Sequence, residues 1–537
     1  MLFFCAGRVY IPVVEQRSEN RKAGTIMAKL NRDEFRDRVL GCWTGKNIGG
    51  TLGAPFEGTR DMVELDFYTQ DLGGDPLPND DLDLQLIWLY AAEELGVYHI
   101  TPRRLAEYWM NYECAPMGEY RNCMANIAAG FYPPLSGSCN NDQWRWSNGA
   151  WIRSEVWACF FPGFPDEAAR CACIDACCDH EGEGIWAEVF TASLEAAAFV
   201  EHDIRRLIGI ALDRVSAESR IAKSIRTAVA AFDEKLSLAQ ARERLVEVNS
   251  ETGFFQAPLD VGFLTLALLY GEGDFEKTVL SAVRCGDDTD CTAATAGAVL
   301  GIILGRSRIP EKWCAPIGNR IVTKCLAEYG IPAPRTLDEL TDRVTAEAER
   351  ARSVNPALLE ITDSPTDLDG FVIPADGETA RLVAMRSPYE VSLELPFARI
   401  GADLAGGPEF EPGVPKRIRF VLRDISCVMG AVTGELLLPE GWQASPCRQF
   451  VLPGTCLGPQ CGEIEVEITP AACGEAVMFL PVRFTLSGRK MPEIRMIPLQ
   501  RKGCVCPDLR TRNGDKFFRR SLRLNERKIY PKCEFSF

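Results

Sequence analysis

The sequence predicts a large all-α domain followed by a smaller β-sandwich. Three observations carry this. At 537 residues the chain is too long for one ordinary core. Before about residue 355 its apolar residues recur at helical spacing, and beyond residue 386 the period becomes two. Between these regions lies "NPALLEITDSPTDLDGFVIPADGET", rich in Pro, Asp and Gly, which reads as a linker. The expected boundaries are an N-terminal extension at 1–27 without ordered structure, a helical catalytic domain at 28–355, a linker at 356–385, a β-sandwich at 386–500 and a basic tail at 501–537.

Taken in order, the opening "MLFFCAGRVYIPVV" has an apolar patch broken by Arg8 and no small-residue cleavage site, so it does not read as a secretory signal. Met27 could serve as an alternative start. "CACIDACC" (Cys171–Cys178) follows an apolar helical period and lacks zinc-type spacing. In "TLDELTDRVTAEAERARSV", Thr336 and Glu339 predict a capping box, and Leu337, Leu340, Val344, Ala348 and Ala351 form the apolar face. Then come the strands "YEVSLEL", with Val391, Leu393 and Leu395 on one face, "EIEVEIT", with Ile464, Val466 and Ile468, and "VRFTL". "LLLPEGW" followed by a strand looks like the immunoglobulin-like modules appended to bacterial enzymes.

The net charge of −16 argues against general affinity for nucleic acid or anionic membranes. It is uneven: residues 501–537 hold 11 Lys/Arg and 4 Asp/Glu, a balance of +7, which leaves −23 elsewhere. A basic tail of this kind docks on its own acidic body. The 22 cysteines in so large a chain point to reduced thiols and a cytoplasmic setting. Cys504, Cys506 and Cys533 have no histidine near them to complete a zinc site.

The chemistry concentrates in "CGDDTDCTAATAGAVLGIILG", from Cys285 to Gly305. Asp287, Asp288 and Asp290 stand at the entrance of a small, apolar helix built for close packing and too short to span a membrane. One acid there caps a helix and meets its dipole. Three beside a buried helix repel one another and lose hydration, which a bound hard cation would resolve. "PNDDLDLQLIWLYAAEEL" repeats the pattern with Asn79, Asp80 and Asp81. Facing one another, the two entrances would supply four or more oxygen ligands, the number that suits one or two magnesium or manganese ions. An EF-hand is excluded because Val299 stands where its twelfth-position acid belongs. "DTDCT" fits the D-x-D-x-T of haloacid-dehalogenase-like phosphatases, but leads into a helix instead of ending a strand. A glycosyltransferase D-x-D would need an α/β nucleotide-binding domain, and no glycine-rich dinucleotide fingerprint follows a strand.

Five stretches give a resemblance. "GCWTGKNIGGTLGAPFEG" (Gly41–Gly58) resembles G-x-x-x-G-x-x-x-G-D-A-L-G-A-P-x-E, "NDDLDLQLIWL" resembles T-D-D-T-x-M, and "GDDTDCTAATAGAVLG" resembles G-G-D-T-D-T-x-A-x-x-A-G-A. "SNGAWIRSEVWA" (Ser147–Ala158) is similar to G-x-A-M-R, and "CCDHEGEGIWAEVFTASLEAAAF" (Cys177–Phe199) sits where a histidine precedes a helix. Together, in order over roughly residues 35–325, they resemble the ADP-ribosylglycohydrolase family, the group of dinitrogenase reductase-activating glycohydrolase.

The resemblance implies an orthogonal all-α catalytic domain and two Mg2+ (or Mn2+) ions. It implies metal ligands at Asn79, Asp80, Asp81, Asp288, Asp290 and Cys291, with Glu57, Asp81 and Asp288 in catalytic roles. Asn148, Gly149, Ala150 and His180 would bind substrate. The implied reaction is hydrolysis of an N- or O-glycosidic bond of ADP-ribosylated proteins or small ADP-ribosyl compounds, the carboxylates serving metal and water. The departures are Asn79 for Thr or Ser, Cys291 for Thr, Gly50 for Asp, Lys46 for a small residue and Glu155 for an apolar one. The added cation and acid suggest a changed substrate. Two other functions fit the same sequence: an ADP-ribose or nucleotide binder with weak or lost catalysis, and a glycohydrolase of another ribosyl metabolite.

Overall fold

The computed structural model describes residues 28–113, 118–326, 330–374, 387–425, 430–454, 462–472 and 475–504. The extension at 1–27 and most of the basic tail, with Cys506 and Cys533, lie outside the described residues. The chain forms two compact units, one helical and one built of sheets. Among the described residues the helical unit holds 28–113 and 143–374, and the sheet unit holds 118–142 and 387–504. No helix among the described residues is long and apolar enough to cross a membrane.

Two helices organise the helical unit. The helix Arg32–Gly53 starts at Asn31, whose side chain accepts from the N–H groups of Asp33 and Glu34, two acids that complement the helix dipole. Gly41, Gly45, Gly49 and Gly53 recur every fourth residue and so form one stripe along it. Against this stripe runs the antiparallel helix Thr289–Leu304, whose Thr289, Ala293, Gly297 and Gly301 oppose Gly53, Gly49, Gly45 and Gly41 in turn. A methyl group on Gly45 would collide with the carbonyl oxygen of Gly297, and one on Gly297 with that of Gly45. Only glycine lets the two backbones meet, and the meeting brings the end of the first helix onto the acidic start of the second. Gly45→Ala should therefore cost about 1–3 kcal/mol by overpacking. Gly209→Ala, in a helix where a methyl would meet nothing within 4 Å, should be neutral or stabilising by up to about 1 kcal/mol. Urea unfolding of the two variants checks both.

The helix Leu337–Val354 closes the unit, with Leu340, Val344, Ala348 and Ala351 buried. Its expected capping box is half formed. Thr336 Oγ1 accepts from Glu339 N at 3.2 Å, but the Glu339 carboxylate turns to Arg335 N at 2.9 Å instead of Thr336 N. The start of the Pro- and Asp-rich stretch after this helix is not free chain: Glu360–Thr362 pairs in parallel with Lys29–Asn31.

The second unit is a sandwich of two five-stranded sheets. One runs Glu390–Leu395, Ala398–Leu404, Lys416–Ile425, Glu463–Thr469, Gln443–Ser445, all antiparallel. The other runs Glu409–Phe410, Glu493–Arg501, Val477–Leu486, Gly430–Leu436, Gln449–Gly454, parallel only at its first pair. Phe420 and Val466 of the first sheet share one core with Phe484 and Leu499 of the second, and Phe131 and Leu135 from residues 118–142 complete it. Nothing local in that segment's sequence shows that its apolar residues belong with the sheets.

Candidate active site

The two acidic helix starts meet. The helix Asp80–Leu95 begins at Asn79, whose side-chain oxygen accepts from Asp81 N at 2.8 Å. The helix Thr289–Leu304 begins at Asp288, whose side chain makes no cap bond and is therefore free to face the site. Side-chain ligand atoms of Asp81, Asp290 and Cys291 lie within 4.8 Å of one another, and so do those of Glu57, Asp288 and Asp290. Asp290 belongs to both groups. Asp81 Oδ2, Asp288 Oδ1 and Asp290 Oδ1 are buried without a hydrogen-bond partner. Burial first, and then neighbouring carboxylates, hold all three acids well above the usual carboxylate range, although Lys46 opposes this at Asp81. Glu57, at the exposed edge, is raised by the same causes, the second being Asp80.

The third aspartate of the run has another task. Asp287 adopts φ 64°, and its backbone accepts from Gly58 N at 2.8 Å and donates to Thr59 O at 2.6 Å. Its carboxylate accepts from Phe255 N. Asp287 thus fixes the Glu57 turn against the helix start. In the first run the roles divide similarly. Asp83 accepts from Lys324 N at 2.6 Å and Cys325 N at 2.8 Å, tying down a loop, and Asp80 pairs with Lys324 Nζ at 3.0 Å.

Asn148 is held in one orientation. Trp151 Nε1, which can only donate, bonds Asn148 Oδ1 at 2.9 Å. The amide nitrogen is thereby turned to Asp260 Oδ2 and Asp288 Oδ2, each at 2.7 Å. Asp260 escaped the sequence reading. It is a lone acid near the start of the apolar helix Ala257–Gly271, and a fully buried acid in such a helix is its only signal. Gly149 gives its carbonyl to Arg153 at 2.7 Å, and Ala150 is fully buried. His180 is also buried, between Ser147 Oγ at 3.0 Å and Asp179 at 2.9 Å, and Asp179 in turn takes a two-pronged bond from Arg153. His180 is thus tied to the residue next to Asn148 and supports that loop.

Lys46 and Glu155 stand together. Lys46 Nζ donates to Glu155 Oε1 and Ile152 O, each at 2.7 Å, and lies 3.9 Å from Asp81 Oδ2. Gln85 links the pair to the site, donating to Asp81 O at 2.9 Å and to Glu155 Oε2 at 2.7 Å. Their side chains are 1% and 0% exposed. The expected added cation and added acid form one compensated ion pair beside Asp81.

The donor set suits a hard divalent cation, for which buried, unpartnered carboxylate oxygens are the natural ligands. Cys291 is the exception. Burial and four acids, Asp288 first, push its thiol up, and it donates to Asp81 Oδ1 at 3.5 Å. A thiol that keeps its proton is a poor ligand for such a cation. A family model described as ADP-ribosylglycohydrolase matches residues 31–353 of the chain. No curated protein matches it.

Proposed function

Because the chain belongs to the ADP-ribosylglycohydrolase family, and so is a glycohydrolase-type enzyme, we propose that it hydrolyses the glycosidic bond of ADP-ribosylated proteins or small ADP-ribosyl compounds with two divalent cations, Mg2+ or Mn2+. The observation that carries this reading is the convergence of three buried, unpartnered carboxylate oxygens from Asp81, Asp288 and Asp290. Asp290 would be the ligand common to both groups, with Asp81 and Asp80 of the first helix start on one side and Asp288 on the other, and Glu57 at the exposed edge left to the water. Bound there, the cations supply Lewis-acid stabilisation and make water more acidic.

The remaining roles belong to the side chains. Glu57, at the exposed edge beside Asp288 and Asp290, is placed to accept the proton of the attacking water. Asn148 fixes Asp288 and Asp260, while Gly149 and Ala150 shape the loop that meets the ribose and phosphates. His180 steadies that loop. Asn79 keeps its oxygen on the helix start, so its contribution is to orient Asp80 and Asp81. The reducing cytoplasm is part of the same proposal, and nucleic acid and membrane are not among its partners.

The test is release of free ADP-ribose from ADP-ribosylated arginine and serine peptides, with Mg2+ or Mn2+ and with a chelator. Release only with metal supports the reading, and no release under any condition overturns it. The thiol of Cys291 favours a second reading, an ADP-ribose binder with weak catalysis. Under that reading Cys291→Thr, which returns a hard hydroxyl, should tighten Mg2+ binding and raise turnover about tenfold, the value of one restored contact. Calorimetric Mg2+ titration beside the release assay checks both.

A further inference from the structure

The acid cluster has a positive charge at its rim. Lys324 sits in the loop after Ile321, with its ammonium 3.0 Å from Asp80 Oδ1. Its position is set by the backbone, because the amides of Lys324 and Cys325 both donate to the Asp83 carboxylate. Asp83 lies in the first turn of the Asp80 helix, so the loop is clamped to the helix start that carries the metal-compatible acids. The side chain is 42% exposed and that of Asp80 15%. The ammonium therefore lies at the rim, with water beside it and carboxylates beneath. Its field also reaches Glu57 and Asp290, the latter common to both groups of the cluster.

We propose that Lys324 is a tethered counter-cation that occupies Asp80 in the metal-free protein and is displaced when a divalent cation binds. The inference rests on the metal site of the proposed function, and adds a residue that sets how tightly that site holds metal. The physical reason is simple. Closely spaced carboxylates with buried, unpartnered oxygens need positive charge, and a side-chain ammonium supplies one unit of it without leaving the molecule. A divalent ion supplies more, but the ammonium opposes it twice, by holding Asp80 and by repulsion across the cluster. The clamp through Asp83 keeps the displaced ammonium close, so it competes again whenever the metal leaves. Lys46 cannot act in this way, because it is fully buried and bound to Glu155 and Ile152 O.

The experiment is calorimetric titration of MnCl2 into the full chain, as wild type, Lys324→Met and Lys324→Arg, at fixed pH and ionic strength. Lys324→Met keeps the backbone bonds to Asp83 and the aliphatic stem but removes the charge. It should bind Mn2+ about tenfold more tightly than wild type, the effect of one charge at hydrogen-bond distance in a partly exposed site. Lys324→Arg keeps the charge and should stay near the wild-type affinity. Equal affinity of wild type and Lys324→Met, or weaker binding by Lys324→Met, overturns the inference while leaving the metal site in place. Absence of Mn2+ binding by wild type overturns the metal site and this inference with it. Tightening by both variants alike also overturns it, since the cause would then be the lysine's shape and not its charge.

Discussion

Asp290→Asn is expected to remove most metal-dependent turnover, about a hundredfold or more, while leaving the metal-free protein as stable as wild type or more so. The activity loss follows from geometry. Asp290 is the residue common to both cation-compatible groups, so one substitution weakens both sides of the cluster. The stability gain follows from the electrostatics of the same carboxyl. Its pKa in the folded protein is raised by burial and then by Asp288 and Glu57. An acid whose folded pKa exceeds its unfolded value of about 3.9 disfavours folding once the pH rises above that value. Asparagine removes this cost, so the gain should be present at pH 7 and fade toward pH 4. Added Mn2+ should raise the melting temperature of wild type more than that of the variant. Thermal melts with chelator and with Mn2+, at both pH values and beside the ADP-ribose release assay, check the prediction. A variant that is less stable than wild type in chelator would mean that Asp290 is a structural anchor and not a repelled ligand.

Much of this site could be read from the sequence, because it is written in local runs. Three acids at the entrance of a small-residue helix are an electrostatic conflict visible without a fold. The change from helical period to period two placed the sheet strands, and "EIEVEIT" runs as Glu463–Thr469 in the structure. What could not be read depends on partners far apart in the chain. The glycines spaced by four in Arg32–Gly53 were visible, but not that Gly297 and Gly301 are their partners. Asp260 is a single acid in an apolar helix, and nothing local says that Asn148 joins it to Asp288. Lys324 lies in no motif, and only the Asp83 clamp gives its ammonium a place. Residues 118–142 bear a helical pattern, but which core takes their apolar face is decided by tertiary packing. The acid runs themselves look alike in sequence although they divide into positions that face the cluster and positions that anchor backbone. Asp287 bonds a backbone amide while Asp288 and Asp290 face the cluster, a distinction that depends on the left-handed turn at Asp287.

Removing Lys46 alone should cost about 3–5 kcal/mol of folding stability, and removing Glu155 with it should restore most of that loss. In Lys46→Met the Glu155 carboxylate stays fully buried and keeps only the Gln85 amide as its side-chain donor. Breaking a buried pair from one side leaves an uncompensated charge, whereas replacing both partners by apolar groups of similar volume is often neutral or better. The double variant Lys46→Met with Glu155→Met is the decisive one, because it separates two roles for the pair. If Lys46 and Glu155 only support the floor beneath Asp81, the double variant folds, binds Mn2+ and retains turnover, with the pair's coupling energy appearing in a double-mutant cycle from urea unfolding. If they touch substrate, it folds and binds Mn2+ but loses turnover. The geometry favours the first outcome. Both side chains are closed off from solvent, and Lys46 Nζ reaches the site only through the 3.9 Å approach to Asp81 Oδ2. A stable single Lys46→Met variant, within about 1 kcal/mol of wild type, would show that Glu155 takes up a proton and stays buried as a neutral acid. The ion pair would then contribute nothing that a hydrogen-bonded carboxyl could not.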